Sequence, residues 1–263
     1  MTEERMQGTK SLSAFLVPLI LVVMLIPTAC DGLWSPSGDE GQRQHSDGTR
    51  ILYDSSLGTL PGDQQFFYLR YPLSGAKATQ VYNTDVTILN TLPDTTELAG
   101  YIAASQAVPE LVRSLGYTVT FALRVDEEDH GSRTDRAGFS IIVLSNDLLG
   151  ISLGFWEDSI WAHEGGEPPD LFMRAEGQDW DTTAELVTYR LTVLGSGYAL
   201  FADGRQILTG TVRDYTAFEG FSGFNPYGTP NFIFLGDNSR SAAAQVRLGD
   251  ITIRVPVDPV LDP

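Results

Sequence analysis

The chain has 263 residues, and its 34 acidic against 17 basic side chains give a formal net charge of −17. A surface this acidic disfavours binding of nucleic acid or anionic lipid through the body of the protein. Cys30 is the only cysteine, so no disulfide can form within the chain, and stability must come from packing.

The first segment is apolar and has the organisation of an export signal. Residues 11–29 carry no charge, follow Arg5 and Lys10, and end directly before Cys30. A lone thiol at the end of such a segment predicts a bacterial lipoprotein, with the signal removed and the lipid attached to Cys30. An uncleaved membrane anchor and an ordinary cleaved signal are the two alternatives. All three place the remainder outside the cytosol, and the lipoprotein interpretation predicts a membrane-anchored protein of the bacterial cell envelope.

The chain then divides into a tether, one domain and a tail. After the signal peptide of residues 1–29, residues 30–48 are rich in Gly, Ser and charged side chains and predict a flexible tether. Residues 49–256 are long enough to form one β-sandwich with a sizeable core. The tail, residues 257–263, holds no hydrophobic anchor, so we expect the N-terminal lipid to be the anchor.

The secondary-structure signal in the domain is an alternation with a period of two residues. Residues 117–125 place Tyr117, Val119, Phe121, Leu123 and Val125 on one face, which predicts a strand with one face on a core. Further strands are predicted at residues 137–144, 149–155, 189–193, 198–202, 207–212, 231–235 and 245–255. Asp203 and Gly204 predict a tight hairpin turn. No segment shows convincing helical periodicity, so the fold class is all-β and antiparallel, a sandwich or a barrel.

The order of these segments resembles a known family. RAGFS at 136–140, GFW at 154–156 and LGD at 235–237 occur in the order found in the concanavalin A-like, laminin-G-like jelly roll. More narrowly, residues 51–253 resemble bacterial exported proteins called choice-of-anchor proteins, whose shared domain appears with differing anchors. The resemblance implies two packed antiparallel sheets, one of them concave, in an exported protein. It implies no single activity, since the group has none established.

Folds of this kind commonly bind saccharides through aromatic rings and polar loops, which the resemblance extends to this chain. The predicted ligand-binding residues are Trp156, Trp161, His163, His130, Arg133, Arg136 and Tyr227. On one regular strand, the five-residue spacing of Trp156 and Trp161 would turn them to opposite faces, unless a turn at Asp158 intervenes. A core role for each aromatic ring is the alternative.

Residues 126–136 predict an acidic loop that could bind Ca²⁺, which takes six to eight oxygen ligands. Its first candidate ligands are Asp126, Glu128 and Asp129, and Asp237 with Asn238 forms a second, weaker candidate. The alternative is a solvated hairpin tip without metal.

Catalytic motifs are not found in the sequence. The Glu-x-Asp-x-x-Glu strand of hydrolases on this fold does not occur, and the segment beginning at His163 lacks the second histidine of a zinc protease. We therefore expect a non-catalytic envelope module that binds glycan or mediates adhesion. A structural or protein-interaction domain of the envelope is the first alternative. A glycan-cleaving enzyme is the second, either a hydrolase or a lyase that uses His130 with Arg133 or Arg136 and a tyrosine.

Overall fold

Fifteen strands run through residues 47–220 and 225–257, the parts of the chain that this computed structural model describes. In chain order they are β1 (Thr49–Tyr53), β2 (Phe66–Tyr71), β3 (Thr79–Tyr82), β4 (Thr87–Asn90), β5 (Leu98–Ala103), β6 (Tyr117–Asp129), β7 (Phe139–Leu144), β8 (Gly150–Phe155), β9 (Ser159–His163), β10 (Arg174–Asp179), β11 (Val187–Leu194), β12 (Gly197–Ala202), β13 (Arg205–Thr211), β14 (Phe232–Asp237) and β15 (Ala243–Arg254). The helices described are three short 3-10 helices, at Ser55–Leu57, Pro61–Asp63 and Pro226–Gly228.

The strands form two antiparallel sheets. The first has the order β13-β12-β11-β6-β15-β4-β3, with β1 also paired to β15. The second has the order β10-β9-β8-β7-β14-β5-β2. The side chains between them form one large hydrophobic core. This confirms the predicted two-sheet antiparallel sandwich.

The first sheet has one buried face and one wetter face. Strand β6 alternates as predicted, and its five inward side chains from Tyr117 to Val125 are buried while the residues between them are partly exposed. Strand β11 alternates in the same way. Because successive side chains on a strand point to opposite faces, this pattern marks a sheet with a core on one side only.

The second sheet is buried on both faces at its centre. Every residue of β7, β8, β9 and β14 is buried, whichever way its side chain points. The face turned away from the first sheet, here called the outer face, is covered by residues 164–173, 213–220 and 225–231, the covering segments. A second hydrophobic cluster joins them to the sheet and contains Leu171, Phe172, Tyr215, Phe218, Tyr227, Ile142, Leu144, Phe232 and Phe234.

The predicted strands match β6, β7, β8, β11, β12, β13, β14 and β15, with shifted ends. Asp203 and Gly204 form the predicted hairpin turn, with φ of 46° and 83°, and Gly accepts such positive values without a Cβ clash. The predicted signal peptide, Cys30, most of the tether and most of the tail lie outside the described residues. None of the three short 3-10 helices in the described residues could span a bilayer.

A β-bulge near the end of β6 changes which way its acidic residues point. Val125 pairs with Val246 and Glu127 with Gln245, so Asp126 is an extra residue in this part of the ladder. A bulge of this kind shifts the alternation of side chains by one position. Asp126 lies with the arginines of the wet face, and the shift turns Glu128 inward, so that its side chain is only 2% exposed. The prediction that 126–136 is all loop is therefore wrong at its start, because residues 126–129 belong to β6.

Candidate functional site

A row of residues, all but one of them small, crosses the outer face of the second sheet. The strand register places opposite one another, in order, Gly100, Gly236, Ser140, Gly154, Trp161 and Gly177. A Cβ atom on Gly154 would lie 2.7 Å from a ring carbon of Trp161, so the indole lies directly on the glycine backbone. Because these glycines have no side chains, the Trp161 ring can pack directly against the backbone of the sheet. Two buried atoms of the row, Ser140 Oγ and Trp161 Nε1, have no hydrogen-bond partner in the described part of the chain.

Trp156 and Trp161 pack against each other on this face. The segment between β8 and β9 turns back, with the Trp156 amide donating to the Ser159 carbonyl at 2.9 Å. The two ring centroids are 4.6 Å apart with the planes at 67°. This resolves the question posed by their spacing, because the turn brings both indoles to one side of the sheet. Trp161 is fully buried and Trp156 is half-buried.

His130 covers one face of Trp156. The two rings stack with centroids 3.8 Å apart and planes 9° from parallel. The Nδ1 atom of His130 lies 2.6 Å from Glu128 Oε2, and Trp156 Nε1 donates to the Arg136 carbonyl at 2.7 Å. Loop residues 130–136 are therefore attached to the tryptophan pair, and the His130 side chain remains 32% exposed.

Glu128 sits beneath His130 in a desolvated position. Burial raises the pKa of its carboxyl to about 7, against the opposing effect of the hydrogen bond from His130. The carboxyl also accepts a long hydrogen bond from the Gly138 amide, at 3.4 Å. The inward turn at the bulge is what creates this environment.

Arg174, at the start of β10, lies over both tryptophans. Its guanidinium carbon is 4.7 Å from the Trp161 ring centroid and 5.0 Å from that of Trp156. Gly177 lies beside both side chains, since a Cβ atom there would crowd the Trp161 Cβ at 3.0 Å and would be in ordinary contact with Arg174 Nη2 at 3.5 Å. Arg174 is exposed, and within residues 47–220 and 225–257 its guanidinium makes no hydrogen bond or ion pair. Sequence reasoning missed Arg174, because β10 shows no apolar alternation that would mark it as a strand.

Two other predicted ligand residues are buried beneath the covering segments. His163 Nδ1 lies 3.0 Å from Ser152 Oγ, and Tyr215 Oη donates to the His163 carbonyl at 2.9 Å. Burial lowers the pKa of His163 to about 4, so the ring is neutral near pH 7. Tyr227 is 3% exposed and packs on Tyr215. The structure thus assigns His163 and Tyr227, like Trp161, to packing rather than to an accessible surface.

The two predicted loop arginines differ in their contacts. Arg136 Nη1 donates to the Phe172 carbonyl at 2.9 Å and to the Asp135 carbonyl at 2.6 Å, which ties the loop to a covering segment. Arg133 is exposed and approaches the Asp135 carboxylate at 3.7 Å. Both lie in the loop that carries His130, as predicted, but only Arg133 keeps an exposed side chain.

The predicted calcium ligands do not come together. Asp126 accepts hydrogen bonds from Arg247 Nε at 2.9 and 3.0 Å, on the face opposite to Glu128. Asp129 accepts from the Gly131 amide at 2.9 Å. Asp237 is fully buried, accepts from the Ser239 amide, and has a pKa raised well above its usual range by burial. Across the described residues, no group of three or more His, Cys, Asp or Glu side chains could hold a metal ion.

Comparison with known proteins identifies similar folds. The chain is similar to a carbohydrate esterase from the Shiga toxin-encoding bacteriophage phi24B, with a TM-score of 0.52 and 14% identity over 80% of this chain and 97% of that one. Looser similarity is found to the exoplasmic/lumenal domain of VIP36 (TM-score 0.44, 10% identity, 83% and 92% covered) and to the carbohydrate-binding module CBM66 of Bacillus subtilis (TM-score 0.42, 8% identity, 72% and 96% covered). No family model and no curated protein matches the chain. At 14% identity, the likeness to the bacteriophage protein shows a similar fold.

Proposed function

We propose that this protein is a non-catalytic glycan-binding module, with its site formed by Trp156, His130 and Arg174 above the buried Trp161 on the outer face of the second sheet. The observation that carries the proposal is the position of Arg174, whose guanidinium lies over two tryptophan rings without an acidic partner among the described residues. A cation held in place and left unpaired is available to a ligand.

The chemistry of the site favours a polar, ring-shaped ligand. Its accessible groups are the Arg174 guanidinium, the partly exposed imidazole of His130 and the half-buried indole of Trp156. Because His130 stacks on Trp156 and Trp161 is buried, a sugar would meet hydrogen-bond donors and ring edges rather than a bare indole face. Binding sites usually combine an apolar lining with a few placed polar groups, as this one does.

The fold is compatible with this proposal but does not carry it. The bacteriophage protein that this sandwich resembles is named as a carbohydrate esterase. At 14% identity the likeness concerns the fold alone. The proposal therefore depends on the site residues themselves.

The proposed location is the bacterial cell envelope, with a lipid on Cys30 holding the domain at a membrane. The apolar segment before the only cysteine supports this, as does the resemblance to choice-of-anchor proteins. In a bacterial host, we expect the full chain to incorporate labelled fatty acid and a Cys30→Ser variant to incorporate none. Equal labelling of the variant would exclude Cys30 as the attachment point.

We expect the full chain, purified in non-ionic detergent, to bind at least one class of immobilised polysaccharide, and His130→Ala to weaken that binding about tenfold. The substitution removes an accessible ring that also covers Trp156, while the Glu128 carboxyl left behind can take up a proton at neutral pH. A tenfold loss corresponds to about 1.4 kcal/mol of binding free energy. The measurement is equilibrium binding to a polysaccharide array.

Arg190→Ala is the matched control, because Arg190 lies over Phe201 on the first sheet, 4.2 Å from the ring centroid, away from the proposed site. It should bind like the wild type. Binding should be the same with calcium or chelator, since the predicted calcium ligands do not converge. Failure to bind any polysaccharide would overturn the proposal in favour of a protein-interaction role. Release of sugar fragments during the assay would contradict the non-catalytic assignment.

A further inference from the structure

The candidate site contains an arginine without a charged partner among the described residues, in a chain that is strongly acidic overall. The chain has a formal charge of −17, yet Arg174 lies over the tryptophan pair, the Arg136 carbonyl accepts from Trp156, and Arg133 belongs to the same loop as Arg136. Two of these three arginines have an acidic partner. Arg133 and Arg136 approach Asp135, and His130 is bonded to Glu128. Arg174 is the member of this group whose donors have no partner in the described parts of the chain.

Contacts with the two tryptophan rings also restrict the position of the Arg174 guanidinium. A guanidinium is attracted to the face of an indole, and here it lies within 5.0 Å of two such rings. Its N–H donors have no hydrogen-bond partner within the described ranges of the chain, so they are available to a ligand. A side chain that is already ordered loses less conformational entropy when a ligand binds.

We propose that the glycan recognised here is an anionic one, and that Arg174 binds the carboxylate of a uronic-acid type sugar. This inference rests on the proposed glycan-binding function. A carboxylate matches the two parallel donors of a guanidinium edge, and paired hydrogen bonds of this kind are stronger than neutral ones. A sugar bound in this way would have its ring beside Trp156 and His130.

Acidic residues on the other side of Arg174 restrict how much negative charge the ligand can carry. Arg174 also lines an open depression of about 590 Å³ together with Glu164, Glu167 and Asp170. Glu164 is paired with Arg213 at 3.2 Å, but Glu167 and Asp170 are exposed carboxylates that repel a second anion nearby. Since exposed charges interact over roughly 8 Å at physiological salt, the site favours a polymer with widely spaced carboxylates, such as hyaluronan, over one with a carboxylate on every sugar.

The test compares polysaccharides with their carboxyl-reduced derivatives, which keep the sugar rings but lose the charge. The probes are hyaluronan, alginate, polygalacturonate and chondroitin sulfate, each with its carboxyl-reduced counterpart, and desulfated chondroitin for the sulfate ester. The full chain should bind at least one native polymer ten times or more better than its reduced form. Raising the salt concentration should weaken this binding.

The variants assign the effect to one side chain. Arg174→Ala should lose the preference for the native polymer, and Arg174→Lys should keep only part of it, because lysine retains the charge but not the paired donors. Arg190→Ala should retain the full preference. Arg174 is exposed on an edge strand, so its replacement leaves the core intact, which tryptophan fluorescence and thermal unfolding can verify.

Each other outcome overturns the inference in a distinguishable way. Equal binding to native and reduced polymers leaves glycan binding standing but removes the role of the carboxylate. Binding that is lost on desulfation and retained on carboxyl reduction assigns recognition to sulfate instead. A carboxylate preference that persists in Arg174→Ala places the receptor elsewhere. Absence of binding to every polymer, charged or neutral, overturns both this inference and the proposed function.

Discussion

Gly138→Ala is expected to lower the free energy of unfolding by about 3 kcal/mol or more, the upper range for overpacking a folded interior. A Cβ atom at this position would lie 2.0 Å from the carbonyl carbon of Ala243 and 2.4 Å from the amide nitrogen of Ala244. Both contacts are to the backbone of β15, the strand that makes the most extensive ladder of the first sheet with β6. The clash therefore cannot be relieved by rotating a side chain, and β15 itself would have to shift.

Gly62→Ala provides the control for this prediction. A Cβ atom on Gly62 would meet the Tyr68 Cβ at 3.7 Å, an ordinary van der Waals contact. Its unfolding free energy should stay within about 1 kcal/mol of the wild type. Denaturant unfolding of the full chain measures both variants, and a Gly138→Ala protein as stable as Gly62→Ala would show that β15 adapts without cost.

Acidification should destabilise the wild-type protein through His163, and His163→Gln should remove this part of the loss. The pKa of His163 is about 4 in the folded protein against an ordinary value of 6.5. The unfolded chain therefore takes up the proton first as the pH falls. The stabilising contribution is present above pH 6.5 and is lost between pH 6.5 and pH 4, and this displacement corresponds to roughly 3 kcal/mol.

The comparison must isolate His163 from its neighbours. Asp135, Arg136 and Arg213 influence the pKa of His163. The titration of Glu128 also changes the unfolding free energy with pH, but in the opposite direction. Because the Glu128 pKa is raised to about 7, its contribution is present below about pH 4.5 and is lost as the pH rises through 7. The difference in unfolding free energy between wild type and His163→Gln, followed from pH 7 to pH 4, cancels these shared groups. A difference that stays constant over this range would contradict the assignment.

The sandwich could be predicted where the chain itself shows which face is buried. Residues 117–125 alternate strictly because one side of β6 meets the core and the other meets water. The predicted strand ended early because the bulge at Asp126 interrupts the alternation. Strand β10 escaped prediction for a related reason. It lies at a sheet edge with a mostly polar sequence, so no periodicity marks it, and Arg174 remained unnoticed with it.

The candidate site could be predicted only in part. Trp156, His130 and the loop of Arg133 and Arg136 do lie together, and the turn before Ser159 explains why both tryptophans share a face. The burial of His163 and Tyr227 depends on the covering segments, which come from distant parts of the chain. The identity of a polar or aromatic residue does not show whether a distant segment of the chain covers it. The sequence therefore identified candidates but not their exposure.

The covered outer face of the second sheet has a consequence for how this protein can diverge. Strands β6 and β11 keep one wet face, and substitutions there can accumulate singly during evolution. Strands β7, β8 and β14 have no such positions, since a change on either face meets packed neighbours. Residues such as Ile142 and Phe234 are free to vary only together with the ring partners that cover them. Relatives should therefore drift apart on the first sheet while the second sheet and its covering segments change as a set.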